Sequence, residues 1–348
     1  MLNLKYKIFW IIYLFIGLVF LTNCSEKEDV LTGQRFSLDV SLEDSKLILA
    51  GEDTNTTKMA NKVTPISLPS PRNYDSWTHR NGNSKHRIEH PDFSDNPNLV
   101  WKLDIGKGNS SKFRLTSDPI VFDDKIYVMD SGSNVSRIST EGLLEWKVNL
   151  IPQFDAESDT SAGGIAFGAM KVFVSTGFGE LFALSPNNGE VIWKHRFKAP
   201  INSAPTIIDE NVFVITTNGQ AFALDVATGR IKWQQQSTLA GAMLLGGSSV
   251  ADYGRLALLP FDSGELTAVL KNSGVRIWSA SVSTTRKGSA RSNINSVTSD
   301  PVVFNDVIYT ANQGGRLVAL NANDGVRKWT DKDGSYSPIW VVDNSVFI

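Results

Sequence analysis

Six tryptophans, Trp101, Trp146, Trp193, Trp233, Trp278 and Trp329, stand 45, 47, 40, 45 and 51 residues apart. A period in this range marks a chain of repeated supersecondary units, none able to bury its apolar face alone. The last five tryptophans each have a glycine four residues earlier: Gly142, Gly189, Gly229, Gly274 and Gly325. Upstream of most lies a short apolar run ending in Ala-Leu, as in Leu181-Phe-Ala-Leu184, Ala221-Phe-Ala-Leu224 and Arg316-Leu-Val-Ala-Leu320. Before that comes an alternating run such as Lys125-Ile-Tyr-Val-Met129 or Asn211-Val-Phe-Val-Ile215. Each unit opens on a small-residue or proline turn and one more apolar run, as in Ala204-Pro-Thr-Ile-Ile208 and Asp300-Pro-Val-Val-Phe304.

Each unit therefore reads as four short strands separated by Asp, Asn and Gly turns. No useful helical periodicity occurs after the first segment of the chain. Four strands per ~45 residues predicts an all-β fold, a β-propeller of four-stranded blades. The glycine suits the tight turn between third and fourth strands, where φ is often positive. The tryptophan, on the outer strand, offers a large ring to cover the seam between blades, so these rings read as packing residues. Asp225 and Asp324 sit at turn positions and read as turn residues.

Composition narrows the function. Hydrophobic residues make up 41% of the chain, enough for a core. A net charge of −2 with both signs interspersed gives no basic surface for nucleic acid. The single cysteine, Cys24, excludes an intramolecular disulfide, a cysteine-based zinc site and a redox pair.

Residues 1–23 read as a targeting segment. Lys5 and Lys7 precede an apolar run from Ile8 to Leu21. As a helix that run is about 21 Å long, short of the ~30 Å hydrocarbon core, so it predicts a secretory signal rather than a span. Cys24 then stands where a bacterial lipobox places its lipid-receiving cysteine, with Asn23 before it and Ser25 after it. Acyl chains, palmitate among them, contribute about 0.8 kcal/mol per buried CH₂ and anchor a multiply acylated protein durably. Ser25 favours the outer over the inner membrane by the lipoprotein sorting pattern. Residues 24–95 read as a lipidated linker, acidic and polar at first and then carrying Pro65, Pro69 and Pro71. Residues 96–348 read as the propeller. Five blades are complete from about Ser117 to Thr330, with part of a sixth at Ser337–Val342 and Ser345–Ile348. A ring of eight needs ~110 residues more at ~45 per blade, so the chain reads as part of a longer gene product.

The stretch from Ala223 to Trp233 is very similar to the tryptophan-docking motif of quinoprotein-type propellers, and Ala319–Trp329 and Ala183–Trp193 repeat it. Two readings compete within that group, with a propeller that binds a cell-surface polysaccharide or another ligand as a third. A quinoprotein dehydrogenase of the periplasm would add calcium-binding carboxylates, a catalytic Asp and often a vicinal disulfide. The disulfide is impossible here, and no acidic cluster with hard-cation spacing is evident. The whole layout instead resembles the BamB family, lipoproteins of the outer-membrane β-barrel assembly machinery, most of all its alphaproteobacterial members. The matching features are Leu31-Thr-Gly-Gln-Arg35, Ile66-Ser-Leu-Pro69 with Trp77, Asn81-Gly82-Asn83 and His86, Leu99-Val-Trp101, Gly106-Lys-Gly108, Arg114-Leu-Thr-Ser-Asp-Pro119, and a long connection at Ser283–Thr298.

The resemblance implies an eight-bladed propeller in the full-length protein and no catalysis or cofactor. It implies a lipid-anchored scaffold on the periplasmic face of the outer membrane. The implied partners are the assembly factor BamA, through a POTRA domain, other barrel-assembly components and unfolded outer-membrane proteins. The family's contact surface maps to Ala242–Gly246 and to the stretch up to Asp300. Leu244 and Leu245 are then the partner-binding residues, flanked by Gly241, Gly246 and Gly247. Where the family often has an Arg beside the Leu and acidic residues before the fifth blade, this chain has Leu245, Ser296 and Thr298. The alternative for Leu244 and Leu245 is burial at the start of a blade strand. Finally, His86-Arg-Ile-Glu-His90 fits an inverted zinc-protease signature, which needs a helix to bring both histidines to one face. Gly82 before it and Pro91 after it argue for two polar histidines in an extended linker instead.

Overall fold

The computed structural model describes residues 65–111, 113–155, 162–283, 294–336 and 338–348. Cys24, the targeting segment, the first part of the linker and residues 284–293 of the long connection lie outside them. All described residues belong to one compact unit, Thr64–Ile348.

Five consecutive four-stranded antiparallel meanders, or blades, make up that unit. Blade 1 holds β1 (Ile120–Phe122), β2 (Lys125–Met129), β3 (Asn134–Ser139) and β4 (Leu144–Asn149). Blade 2 holds β5 (Gly163–Gly168), β6 (Lys171–Thr176), β7 (Glu180–Leu184) and β8 (Val191–Arg196). Blade 3 holds β9 (Thr206–Ile208), β10 (Asn211–Thr216), β11 (Gln220–Asp225) and β12 (Ile231–Gln236). Blade 4 holds β13 (Ala251–Tyr253), β14 (Leu256–Pro260), β15 (Glu265–Leu270) and β16 (Arg276–Ser281). Blade 5 holds β17 (Val302–Phe304), β18 (Val307–Asn312), β19 (Arg316–Asn321) and β20 (Arg327–Asp331). A two-stranded sheet follows, β21 (Trp340–Val342) and β22 (Ser345–Phe347). First strands of successive blades meet, β1 with β5, β5 with β9, and β17 with β21, so they line a common hub. Fourth strands lie at the rim; those of blades 1–4 alternate exposed with covered residues, and β20 is exposed throughout.

The apolar cores lie between blades rather than within them. One cluster joins blades 1 and 2 through Ile120, Tyr127, Ile165 and Val174. Others join blades 2 and 3, 3 and 4, 4 and 5, and blade 5 to the last sheet. Blade 2, for example, gives Ile165 and Val174 to the cluster with blade 1 and Ala166 and Phe173 to the cluster with blade 3, so such a sheet needs a neighbour on each face.

The repeated tryptophan joins one blade to the next. The ring of Trp193 lies over Gly229 of blade 3, where a β-carbon would come within 2.5 Å of it. In the same way Trp101 covers Gly142, Trp146 covers Gly189, Trp233 covers Gly274 and Trp278 covers Gly325. Each indole Nε1–H donates to a carbonyl beside that glycine: Trp101 to Thr140 (2.7 Å), Trp146 to Pro186 (2.9 Å), Trp193 to Val226 (3.2 Å), Trp233 to Lys271 (2.7 Å) and Trp278 to Ala322 (3.1 Å). Inside its own blade the indole tilts against an aromatic of the second strand, Phe173 for Trp193 and Phe213 for Trp233. A bulge one step before the tryptophan recurs in all five β3–β4-type pairs, as between Ala183 and Leu184. Such a bulge re-aims the side chain that follows it. Trp329 has no third-to-fourth-strand turn to cover among the described residues and is 41% exposed, against 9% for Trp233. Trp101 makes its contact from a segment that is not a strand.

The glycine thus meets two demands. Gly229 has φ +69° and heads a turn in which the Asp225 carboxylate accepts from the backbone N–H of Ala227 (3.1 Å) and Thr228 (2.9 Å). Gly254 has φ +55° but open space where a β-carbon would go. Both Gly254→Ala and Gly229→Ala carry the ~1–2 kcal/mol of left-handed backbone. Gly229→Ala must also displace the Trp193 ring, at a further ~1–3 kcal/mol. Urea unfolding of the two variants measures the difference, and equal losses would mean that the ring contact does not fix the glycine.

Candidate functional site

Each connection from a fourth strand to the next first strand leads from rim to hub. The one between β12 and β13, residues 237–250, carries Leu239, Met243, Leu244 and Leu245. It is loop throughout, so Leu244 and Leu245 do not begin β13. Leu239 is 72% exposed and Leu245 47%, while Leu244 is half-buried.

The second half of this loop is held on every side. Asn202, from the loop leading into blade 3, donates its side-chain amide to the Leu244 carbonyl. Its side-chain oxygen accepts from Gly246 N–H (3.0 Å), and its backbone carbonyl accepts from Gly247 N–H (3.0 Å). Tyr336, from the loop leading into the last sheet, donates its hydroxyl to the Leu245 carbonyl. Arg80 Nη1 donates to the carbonyls of Gly247 (2.9 Å) and Gly246 (3.4 Å). Asp300, just ahead of β17, accepts from Ser249 N–H (2.6 Å) and Ser248 Oγ (3.2 Å). Gly246 takes φ +78°, which a side chain would resist. Across a bowl of about 720 Å3 the loop faces Leu115, Thr116 and Arg114.

Arg80 comes from a segment expected to be linker. Residues 77–88 instead run through the hub and touch the first strand of every sheet in chain order. Trp77 pairs with Val121 in β1, and the Thr78 carbonyl accepts from Phe167 N–H in β5 (2.7 Å). His79 Nε2 accepts from Ile207 N–H in β9 (3.0 Å), and the Ser84 carbonyl accepts from Asp252 N–H in β13 (2.8 Å). The Arg87 guanidinium lies 4.3 Å over the Phe304 ring in β17, and Trp340 Nε1–H in β21 donates to the Ile88 carbonyl (3.2 Å). Asn81-Gly82 makes the reversal near its middle, with φ of 58° and 102°. The boundary at residue 95 is therefore corrected: this strap is part of the propeller unit.

The strap also disposes of the zinc signature. His86 and His90 are on no helix. His86 is buried, its Nδ1 2.9 Å from the Arg80 carbonyl and its Nε2 2.9 Å from the Val250 carbonyl. His90 Nδ1 lies 2.9 Å from the Pro69 carbonyl. His86 is thus a hub residue, not a polar linker residue. Among the described residues no group of three or more His, Cys, Asp or Glu could hold a metal ion.

Asp300 is the charge at the centre of the strap's anchorage. Its Oδ2 lies 3.3 Å from Arg80 Nε and accepts from Asn81 Nδ2 (2.7 Å). The buried Arg80 guanidinium holds its charge more firmly than usual, chiefly because of Asp300. Burial raises the nearby Asp118 carboxyl above its usual range. Ser296 and Thr298, in the connection ahead of blade 5, are buried. Thr298 donates its hydroxyl to the Ser335 carbonyl and the Ser296 carbonyl accepts from Asn312 Nδ2 (2.8 Å), so both residues are tied into the interior. The strap was the part of the site that sequence reasoning missed. Its signal was Asn81-Gly82, a tight-turn dipeptide inside a supposedly extended tether.

A propeller whose blades are joined by indole-on-glycine contacts, with a pinned apolar loop at one end of the hub, is the class of protein these features define. The chain matches the family described as outer membrane protein assembly factor BamB over residues 133–348, more than half its length, and belongs to that family. It is 29% identical over 256 residues to the outer membrane protein assembly factor BamB of Salmonella typhimurium, covering 72% of this chain. The chain spans about 65% of the length of that relative and of the Escherichia coli one, to which it is 27% identical. Among solved structures, BamB from Moraxella catarrhalis superposes with a TM-score of 0.59 at 18% identity, covering 69% of this chain and 71% of that one. A europium-containing methanol dehydrogenase also reaches 0.59 at 14% identity, covering 74% of this chain and 58% of that one. At such identities both likenesses are of fold alone.

His79 gives the hub a pH dependence. Burial, helped by the neighbouring His86, lowers it to about 3 from 6.5. Between those values the unfolded chain binds a proton that the folded hub refuses, so stability falls as pH falls. From pH 6.5 to 5 the loss is about 2 kcal/mol, at ~1.36 kcal/mol per unit. Urea unfolding at pH 7 and pH 5 should show His79→Gln losing about that much less than wild type; equal losses would mean that His79 is protonated in the fold.

Proposed function

We propose that this chain serves, without catalysis, as a scaffold of the outer-membrane β-barrel assembly machinery, held on the periplasmic face of the outer membrane by lipid on Cys24. It presents the 239–245 loop to a POTRA domain of BamA, alongside other assembly components, and receives unfolded outer-membrane proteins. The observation that carries this reading is the loop itself in a chain of the BamB family. The exposed Leu245, with the half-buried Leu244 beside it, sits on a backbone stem held by Asn202, Arg80, Tyr336 and Asp300. Soluble proteins rarely expose such groups without something to cover them. A pre-shaped loop also loses little freedom on binding, which favours affinity.

The likeness to dehydrogenases is one of fold and gives no reason to add redox chemistry. Leu244→Asp with Leu245→Asp, in the full-length protein, should remove a hot spot of ~2–4 kcal/mol for the BamA periplasmic region. Its melting temperature should fall only slightly, because the exposed Leu245 site changes stability by no more than about 0.5 kcal/mol and the half-buried Leu244 accounts for the rest. Binding intact in the folded variant would refute the assignment.

A further inference from the structure

We infer that Arg80 and Asn202 are positioning residues for the partner-binding loop: they touch no partner but set the shape in which Leu244 and Leu245 are offered. The inference rests on the reading of that loop given above.

The backbone from Leu244 to Gly247 has no strand partner, so regular structure cannot hold it. Its polar groups are met by side chains, and at Gly247 N–H by the Asn202 backbone carbonyl, from elsewhere in the chain. Asn202 takes three of them, the Leu244 carbonyl and the N–H groups of Gly246 and Gly247. Arg80 takes the two carbonyls that follow, at Gly246 and Gly247. These two residues thus bond opposite sides of one dipeptide, whose glycines have no side chain to resist other conformations. Arg80 cannot swing away freely, because its Nε lies 3.3 Å from the buried Asp300 carboxylate. Asp300 in turn fixes Ser248 and Ser249, the continuation of the same loop. The loop is therefore moulded by blade 3, by the segment leading into blade 5, and by the hub strap. Without the strap in place, the Gly246 and Gly247 carbonyls lose their donor.

The test uses the full-length protein. Removing Arg80 alone would leave Asp300 charged and buried, so Arg80→Met is paired with Asp300→Asn; Asn202→Ala is the second variant. Hydrogen exchange at the Gly246 amide, which loses its side-chain acceptor, should quicken at least tenfold in Asn202→Ala, with amides of β6 and β10 unchanged. Affinity for the BamA periplasmic region should fall five- to fifty-fold in both variants although Leu244 and Leu245 are intact. Should the double variant fail to fold, Asn202→Ala decides alone. Unchanged exchange at the Gly246 amide, or unchanged affinity with a loosened loop, would overturn the inference. If Leu244→Asp with Leu245→Asp binds like wild type, the docking reading fails, and the exchange rates still decide whether Asn202 and Arg80 shape the loop.

Discussion

An indole lying on a glycine of the next blade is the contact on which the rest of this structure depends. Five such contacts are present, each with an Nε1–H bond to a carbonyl of the same turn. The glycine must lack a β-carbon, the turn must take a positive φ, and, for the four of these tryptophans that lie on fourth strands, a bulge aims the ring. The sequence repeat is the record of these three demands. Because the apolar clusters span neighbouring blades, each blade is stabilised mainly by its neighbours, as in other repeat proteins. Trp329, with no such turn to cover among the described residues, shows the indole's exposure without a partner.

This scaffold fixes where function can reside. Strand edges at the rim are short, and the first strands are held together by the strap. The loops that lead into the blades gather at one end of the hub, where a rigid frame can present them. The strap is what makes that end a single structure. It touches the first strand of all six sheets, and through Arg80 and Asp300 it reaches the stem of the 239–245 loop. Buried ion pairs add little net stability, but removing one partner is costly. The Arg80–Asp300 pair is best understood as setting geometry.

Much of the fold was legible because its determinants are local. Glycine, tryptophan and the alternating runs name the strands, and Asp225 closes its turn with its own side chain, as its position suggested. What stayed hidden was non-local. The sequence shows Gly229 four residues before Trp233, yet the ring that needs its missing β-carbon is Trp193, from the blade before. Residues 77–88 have no strand pattern, because they bond one residue at a time to six different strands. Prolines at 65, 69 and 71 made the whole region read as tether. In the stretch up to Asp300, which the resemblance mapped to a contact surface, tertiary hydrogen bonds bury Ser296 and Thr298. The loop at Leu244 was visible through its flanking glycines, but nothing local announced Asn202, Arg80 or Tyr336 as its clamps.

The central claim is that the axial loop, and not the blade rims, meets the assembly machinery. Ultraviolet cross-linking in cells from a benzoylphenylalanine at Leu245, against one at the exposed rim residue Ile192, tests it most directly. The account predicts a cross-link to BamA from position 245 and none from position 192. A cross-link from the rim with silence at the loop would contradict it.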